Sequence, residues 1–373
     1  MNKIKLSRRF TSWLLIVVFL LAGISGCGDS KTDVAKDSQP NTQIIRDCAG
    51  RTVEIPKSAQ RIACITPDAG HVLAMLGAGD RIVAVVDGLK RDVLMTNMYP
   101  KIQNLPVPKV NGLINIEELA RTQPDLIIIK DETARNEREL DKLDKIQVPY
   151  LVMQYNTMAQ QQQAIDMIGK AVGREKRAEE YIAYYRTSVE RVTSVIQNIP
   201  ESERVTVYHS VNEATRTDEK NALPADLTGA AGALNVSAAQ DLKLYEGKYY
   251  ASLEQIMLWD PQVILVNEPD VVGYITTNPQ WQTLQAVKTK RVYPLPNGIS
   301  RWGHPSSVET PLAVMWTAKL LYPSKFKNID MMSETKKFYK QFFGYTISDK
   351  TVNQILSGVG MRLDRNRQTN GDS

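Results

Sequence analysis

The sequence has little of the chemistry that most enzymes run on. Its 373 residues include three histidines and three cysteines. His71, His209 and His304 stand far apart, with no HExxH and no i,i+4 pair, so the spacing of a zinc centre is missing. There is no Gly-x-Ser-x-Gly elbow, no Walker pattern and no GxGxxG. Asp68 and Asp87 are carboxylates that nothing in the sequence brings together. These absences argue against the recognisable hydrolase, nucleotide and dinucleotide classes and favour binding over catalysis.

Charge of one sign is also scarce. The formal net charge is +5, but Lys3, Lys5, Arg8 and Arg9 fall in the first 27 residues, which hold no acid. Removing them leaves about +1, so the balance gives no support for nucleic-acid binding. The one long apolar run near the N-terminus, Trp13–Ala22, is too short for a comfortable membrane span. With the positive flank before it and Gly23, Ser25 and Gly26 after it, residues 1–27 read as a targeting segment. Ile24-Ser25-Gly26-Cys27 resembles a bacterial lipoprotein signal, which implies lipidation at Cys27. The alternative is a plain secretory signal with an incidental Cys. Residues 28–42 are polar and read as a disordered tether. Only Cys48 and Cys64 then remain, and they either bridge or stay as two thiols.

What is present is a repeated α/β pattern. The 346 residues after Cys27 exceed what one core usually serves, so two domains are expected. Ile44–Asp47 and Thr52–Pro56 flank a small turn and predict a hairpin. Strands are predicted at Arg61–Ile65, Arg81–Val86, Asp125–Ile129 and Pro149–Met153, with helices at His71–Leu76, Glu117–Thr122 and Ala159–Ala171 between them. The second half repeats this, with strands at Arg204–Tyr208, Gln262–Val266 and Arg291–Leu295, and helices at Asp226–Ala233 and Leu253–Trp259. Ile116–Ile129 aligns with Leu253–Val266 at a constant offset of 137, Pro124 lying over Pro261. Alternating strands and helices predict parallel sheets, and the repeat predicts two Rossmann-like α/β lobes.

Between the copies lies Arg174–Asn198, free of Pro and Gly, with Ala178, Ile182, Tyr185, Val189, Val192 and Ile196 on one stripe. At ~1.5 Å per residue it spans roughly 37 Å, the width of a domain. It is either an ordinary amphipathic surface helix or a strut joining the lobes.

Ligands of open α/β sheets bind beyond the carboxyl ends of the strands. Those loops offer Thr66, Asp68, Asp87, Asn111 and Tyr155 in the first half, and Tyr208, His209 and Asn297–Ser307 in the second. The loop Leu295–Pro305 is the most informative. Arg301 offers a fork of donors, Trp302 a stacking face and His304 a donor or acceptor. The competing reading buries Trp302 in the core and pairs Arg301 with an acid. A helix over Ser306–Tyr322 is expected to cap at Ser306 or Ser307, with Glu309 structural.

Arg61–Gly88, Asn115–Ile129, Ser252–Val266 and the helix ending Ala318–Pro323 resemble the substrate-binding lipoproteins of ABC importers for iron complexes. The resemblance implies two lobes, residues 43–173 and 201–357, joined by one helix at 174–200, with the ligand in a shallow cleft; residues 358–373 are polar and read as a disordered tail. It implies no catalytic activity and no resident cofactor or protein metal site. The cargo would be a metal chelate: a ferric siderophore, haem or a corrinoid. An oxyanion such as molybdate is the alternative within the same class. It implies as partners an ABC permease with its ATPase, and a monomer held by lipid at the extracytoplasmic face of the membrane. Permease docking in the family uses one acid per lobe. Asp226 falls at the second position, whereas His71 stands at the first, where the acid is missing. A surface enzyme using His209 or His304 with Asp68, and a structural lipoprotein without a small ligand, are the readings from other classes.

Overall fold

Two apolar runs, Leu126–Lys130 and Val263–Val266, lie inside two separate four-stranded sheets. The computed structural model describes residues 41–238 and 240–363. The targeting segment with Cys27, the tether up to residue 40, and residues 364–373 lie outside that range. A hairpin of β1 (Thr42–Arg46) and β2 (Thr52–Pro56) comes first. The first lobe contains β3 (Ile62–Cys64), β4 (Ile82–Ala84), β5 (Leu126–Lys130) and β6 (Tyr150–Met153). The second contains β7 (Thr206–Ser210), β8 (Leu234–Asn235), β9 (Val263–Val266) and β10 (Val292–Pro294). Both sheets are parallel, in the orders β4-β3-β5-β6 and β8-β7-β9-β10. Each lobe thus places its first strand second and its second strand at the edge. The 137-residue offset carries β5 onto β9, and both are covered on two faces, so their runs are apolar without alternation.

The helices that position the cleft are α1 (Pro67–Met75), α2 (Ile116–Arg121), α3 (Met158–Ala171), α4 (Glu175–Ile196), α5 (Leu223–Ala230), α6 (Leu253–Trp259), α7 (Thr310–Leu321), α8 (Met331–Phe343) and α9 (Asp349–Ser357). A Ser252–Gln255 capping box starts α6, and Asp260 in the left-handed region ends it before Pro261. α5 runs over Leu223–Ala230 rather than Asp226–Ala233, and two further helix starts move for reasons that bear on the site. α1 opens at Pro67 rather than His71, because proline is preorganised for the first helical position, and Asp68 therefore sits in a helix rather than a loop. α7 opens at Thr310 rather than Ser306, because Ser300, Ser307 and Glu309 bond to one another and hold the chain in a loop.

All strands of the first sheet precede α4 and all strands of the second follow it. The helix packs along α3 and α7 and joins the two lobes, its inner face buried and its outer face, with Glu179, Arg186 and Glu190, exposed. Because two neighbours cover it, its buried face is broader than one stripe. Ala178, Tyr185, Val192 and Ile196 are buried as expected, Tyr181 and Ser188 join them, and Ile182 and Val189 are only half-buried. One hydrophobic cluster runs from Ile62 and Leu126 through Tyr181 and Tyr185 to Val263 and Leu312, so the lobes share a core. Residues 358–363, expected to belong to a disordered tail, are instead fastened to the fold. Met361 is buried, its carbonyl accepts from Val93 N (3.1 Å), and Leu363 N donates to Arg91 O (2.9 Å). A second strap therefore returns from the second lobe to the first.

Candidate functional site

At the carboxyl end of the first sheet, β3 leads into Thr66 and α1, while β5 ends on Lys130. Asp68 is fully buried there. It accepts from the Tyr155 hydroxyl (2.6 Å) and from Thr66, and pairs with Lys130 Nζ (3.2 Å). Burial alone would raise its pKa, but the Lys130 charge and the Thr66 and Tyr155 hydroxyls outweigh it and hold the carboxyl below its ordinary value. Tyr155 is pushed well above its usual range, by burial first and then by the Asp68 charge. Lys130 Nζ also donates to Ser306 Oγ across the cleft (3.1 Å).

The facing wall is the loop between β10 and α7. Glu309 is fully buried and accepts from Ser300 N (2.8 Å), Ser300 Oγ (3.0 Å) and the Tyr339 hydroxyl (2.6 Å). Burial raises its pKa. Only glycine fits at position 298, since a Cβ would overlap the Glu309 carboxylate and the Tyr339 hydroxyl. Gln161 on α3 reaches across the lobes. Its amide donates to Ser307 O (2.7 Å) and its carbonyl accepts from Tyr185 (2.9 Å) and Thr310 (3.0 Å). Tyr181 donates to Val308 O. The loop is therefore fixed by α3 and α4 before any ligand arrives.

That loop presents Arg301 and His304. Arg301 donates to Asn212 Oδ1 (2.6 Å) and pairs with Glu268. Burial, with Arg362 adding to it and Glu268 opposing, pushes the guanidinium down to about 10, so it stays charged at neutral pH. His304 is driven well below its ordinary value, by burial first and then by Arg301, Lys130, Arg362 and Arg216. It is neutral at pH 7. Its Nδ1 accepts from Ser306 N (3.3 Å), which leaves the proton on Nε2. Arg216 makes no side-chain hydrogen bond or ion pair among the described residues. Four cations from both lobes and the C-terminal strap thus act on one place. Three of the four also pair with a carboxylate, Lys130 with Asp68, Arg301 with Glu268 and Arg362 with Asp92, so the surplus positive charge there is that of Arg216.

Thr66, Asp68, Tyr155, Arg301 and His304 come together here. The other expected residues do not. Trp302 is fully buried in the core, so it offers no stacking face; the shaped Gly-Pro loop carries it inward. Tyr208 is buried within the second lobe and donates to Ala214 O (2.9 Å). His209 is buried between Asp218 and Asn267; burial opposes its charge, and Asp218 raises its pKa overall. Asp87 pairs with Arg91 (3.3 Å), and Asn111 sits at an exposed hairpin tip with φ 50°. His71 is 3% exposed and bonded to Asp92 (2.8 Å), so it presents nothing to a permease. Asp226 is half-buried and accepts from Met158 N at the start of α3 (2.7 Å), which occupies one of its oxygens. Cys48 and Cys64 are free thiols. Among the described residues, no three His, Cys, Asp or Glu side chains gather as a metal site.

Lys130, Arg216 and Arg362 were absent from the sequence-derived candidates. Lys130 carried a usable signal, being the polar residue that ends the apolar run LIIIK at a strand's carboxyl end.

The sequence model of the family described as periplasmic binding protein matches residues 62–298. The molybdate-binding protein MolA of Haemophilus influenzae is 24% identical over 325 residues, covering 81% of this chain and 91% of MolA. Its molybdate-bound structure superposes with a TM-score of 0.74 at 23% identity, covering 82% of this chain and 99% of that one. YvrC of Bacillus subtilis, named an uncharacterized ABC transporter substrate-binding lipoprotein, is 24% identical over 84% of this chain and 96% of its own. A periplasmic solute binding protein from Veillonella parvula matches with a TM-score of 0.72 at 27% identity, over 85% and 97% of the two chains.

Proposed function

The chain belongs to the periplasmic binding protein family, and from that premise we propose that its cleft captures a small oxyanion dianion of the molybdate kind. It is a solute-binding protein of an ABC importer and not an enzyme. The oxyanion reading rests on Lys130, which reaches Ser306 on the facing wall (3.1 Å), on Arg301 from that wall, and on Arg216 and Arg362, whose charges act with theirs on His304. Cations supply charge, and the His304 Nε2–H supplies a neutral donor. An oxyanion needs donors and no flat platform.

The expected metal chelate fits less well. Trp302 and Tyr208 are buried, and Tyr155 is 6% exposed with Lys130 Nζ over its ring at 5.1 Å, so none of the three offers an open ring face to a porphyrin or catecholate. The molybdate named for MolA supports the oxyanion choice. The lipoprotein named for YvrC supports an anchor at Cys27, since acyl chains hold a protein at a membrane without a spanning helix. A receptor anchored in this way faces outward and hands its cargo to the permease.

A thermal-shift screen tests the choice of ligand. A ligand bound only by the native state stabilises by about 2.7 kcal/mol at 100-fold above Kd. Molybdate and tungstate should raise Tm, while ferric siderophores, haem and cobalamin leave it unchanged. A rise with any of the chelates and none with the oxyanions rejects the reading.

A further inference from the structure

The C-terminal strap brings an arginine from the second lobe to the first. Helix α9 is fastened to the second lobe, where Asn297 N donates to Ile355 O (2.9 Å). Gly358 ends it at φ 73°, pressed so closely on β10 that a Cβ would lie 2.5 Å from Leu295 O. Three residues later the chain is on the first lobe. Arg362 forms an antiparallel bridge with Asp92, flanked by the Met361 and Leu363 backbone bonds. One guanidinium nitrogen, Nη1, pairs with buried Asp92. Nε and Nη2 make no hydrogen bond among the described residues. A Cβ on Gly88 would lie 3.6 Å from Nη2 and 3.2 Å from Pro67, so Nη2 faces Gly88 near the first residue of α1. The guanidinium is 14% exposed, as Arg301 is.

We propose that Arg362 is a specificity-determining residue, placed by the strap to give its free donors and charge to a bound dianion. Asp92 holds one edge of the fork and leaves the other for the ligand, the division of labour a planar guanidinium allows. A polar C-terminus in the sequence therefore contributes to ligand recognition. The inference rests on the oxyanion reading.

The test compares two tetrahedral oxyanions of different charge, molybdate (two negative) and perrhenate (one negative), by isothermal titration on the mature chain. Losing a charge-assisted bond in a desolvated site should weaken molybdate about 10- to 100-fold in Arg362→Gln. Perrhenate should weaken by a smaller factor. Arg362→Lys, which keeps the charge and loses the fork, should recover part of the molybdate loss. An unchanged molybdate affinity in Arg362→Gln overturns the inference. So do equal losses for both anions, because a merely structural clasp does not read charge. If the wild type binds neither molybdate nor tungstate, the oxyanion reading fails first and this inference with it. If the wild type binds and only the variant pattern disagrees, this inference fails alone.

Discussion

Gln161→Met separates the support of the site from its chemistry. The substitution keeps the volume and removes three hydrogen bonds of α3, one to Ser307 O in the cleft loop, one from Thr310 at the start of α7 and one from Tyr185 on α4. Ser307 O retains the Thr310 hydroxyl as a donor (2.9 Å), so its loss is small. The Tyr185 hydroxyl, on a side chain with no solvent exposure, loses the acceptor of its 2.9 Å bond and keeps only the Thr310 hydroxyl beside it. A buried group left unpaired costs about 1–3 kcal/mol, and an ordinary net hydrogen bond about 1. The total should be about 2–4 kcal/mol. With a urea slope of about 3 kcal/mol/M, the midpoint falls by roughly 1 M. Tryptophan fluorescence during urea unfolding reads this directly. Tyr185→Phe removes one end only and should cost about 1 kcal/mol. The double variant should fall short of the sum, because the two residues share one bond. A loss under 0.5 kcal/mol in Gln161→Met, or full additivity, would refute the claim that this amide fastens the loop.

Other outcomes follow from the same geometry. Arg301→Gln should weaken oxyanion binding by about 10-fold or more in titration while leaving the urea midpoint within experimental spread. Trp302→Ala should instead lower stability by about 3–5 kcal/mol, since the ring fills core rather than cleft. Asp68 has a depressed pKa in the folded state, so its contribution is present above an unfolded value of about 3.9 and lost as pH falls through the lower folded value. Asp68→Asn should therefore be less stable than wild type at pH 7, with the gap closing in acid. Ser188→Pro breaks the interior of α4 and should cost about 3 kcal/mol or more. Ligand binding should weaken in the same variant, through the loosened lobes alone, as titration would show. Cys27→Ala should move the protein from the membrane to the soluble fraction on cell fractionation.

The two-lobe architecture was readable in the sequence because strands and helices obey local rules. The offset between Ile116–Ile129 and Leu253–Val266 marks the same helix–strand unit in both sheets, and the Pro- and Gly-free run after Gly173 marks α4. Site residues were less legible. Trp302 lies in a Gly- and Pro-rich loop, where composition suggests exposure, and only the packing of α7 and α8 shows that it turns inward. Lys130 ends a strand, but its reach to Ser306 exists only because the lobes face each other. Arg362 sits in a polar segment that composition assigns to a tail. Its place depends on a backbone bridge to Asp92, 270 residues earlier, and no local pattern encodes that pairing.

Cations from both lobes hold one oxyanion in the proposed site. Titration of molybdate into wild type and into Lys130→Met/Arg301→Gln, side by side, tests it most directly. The wild type should bind one equivalent, and the double variant should bind about 100-fold or more weakly. Equal binding by both proteins, or binding of a ferric siderophore in place of molybdate, would contradict it.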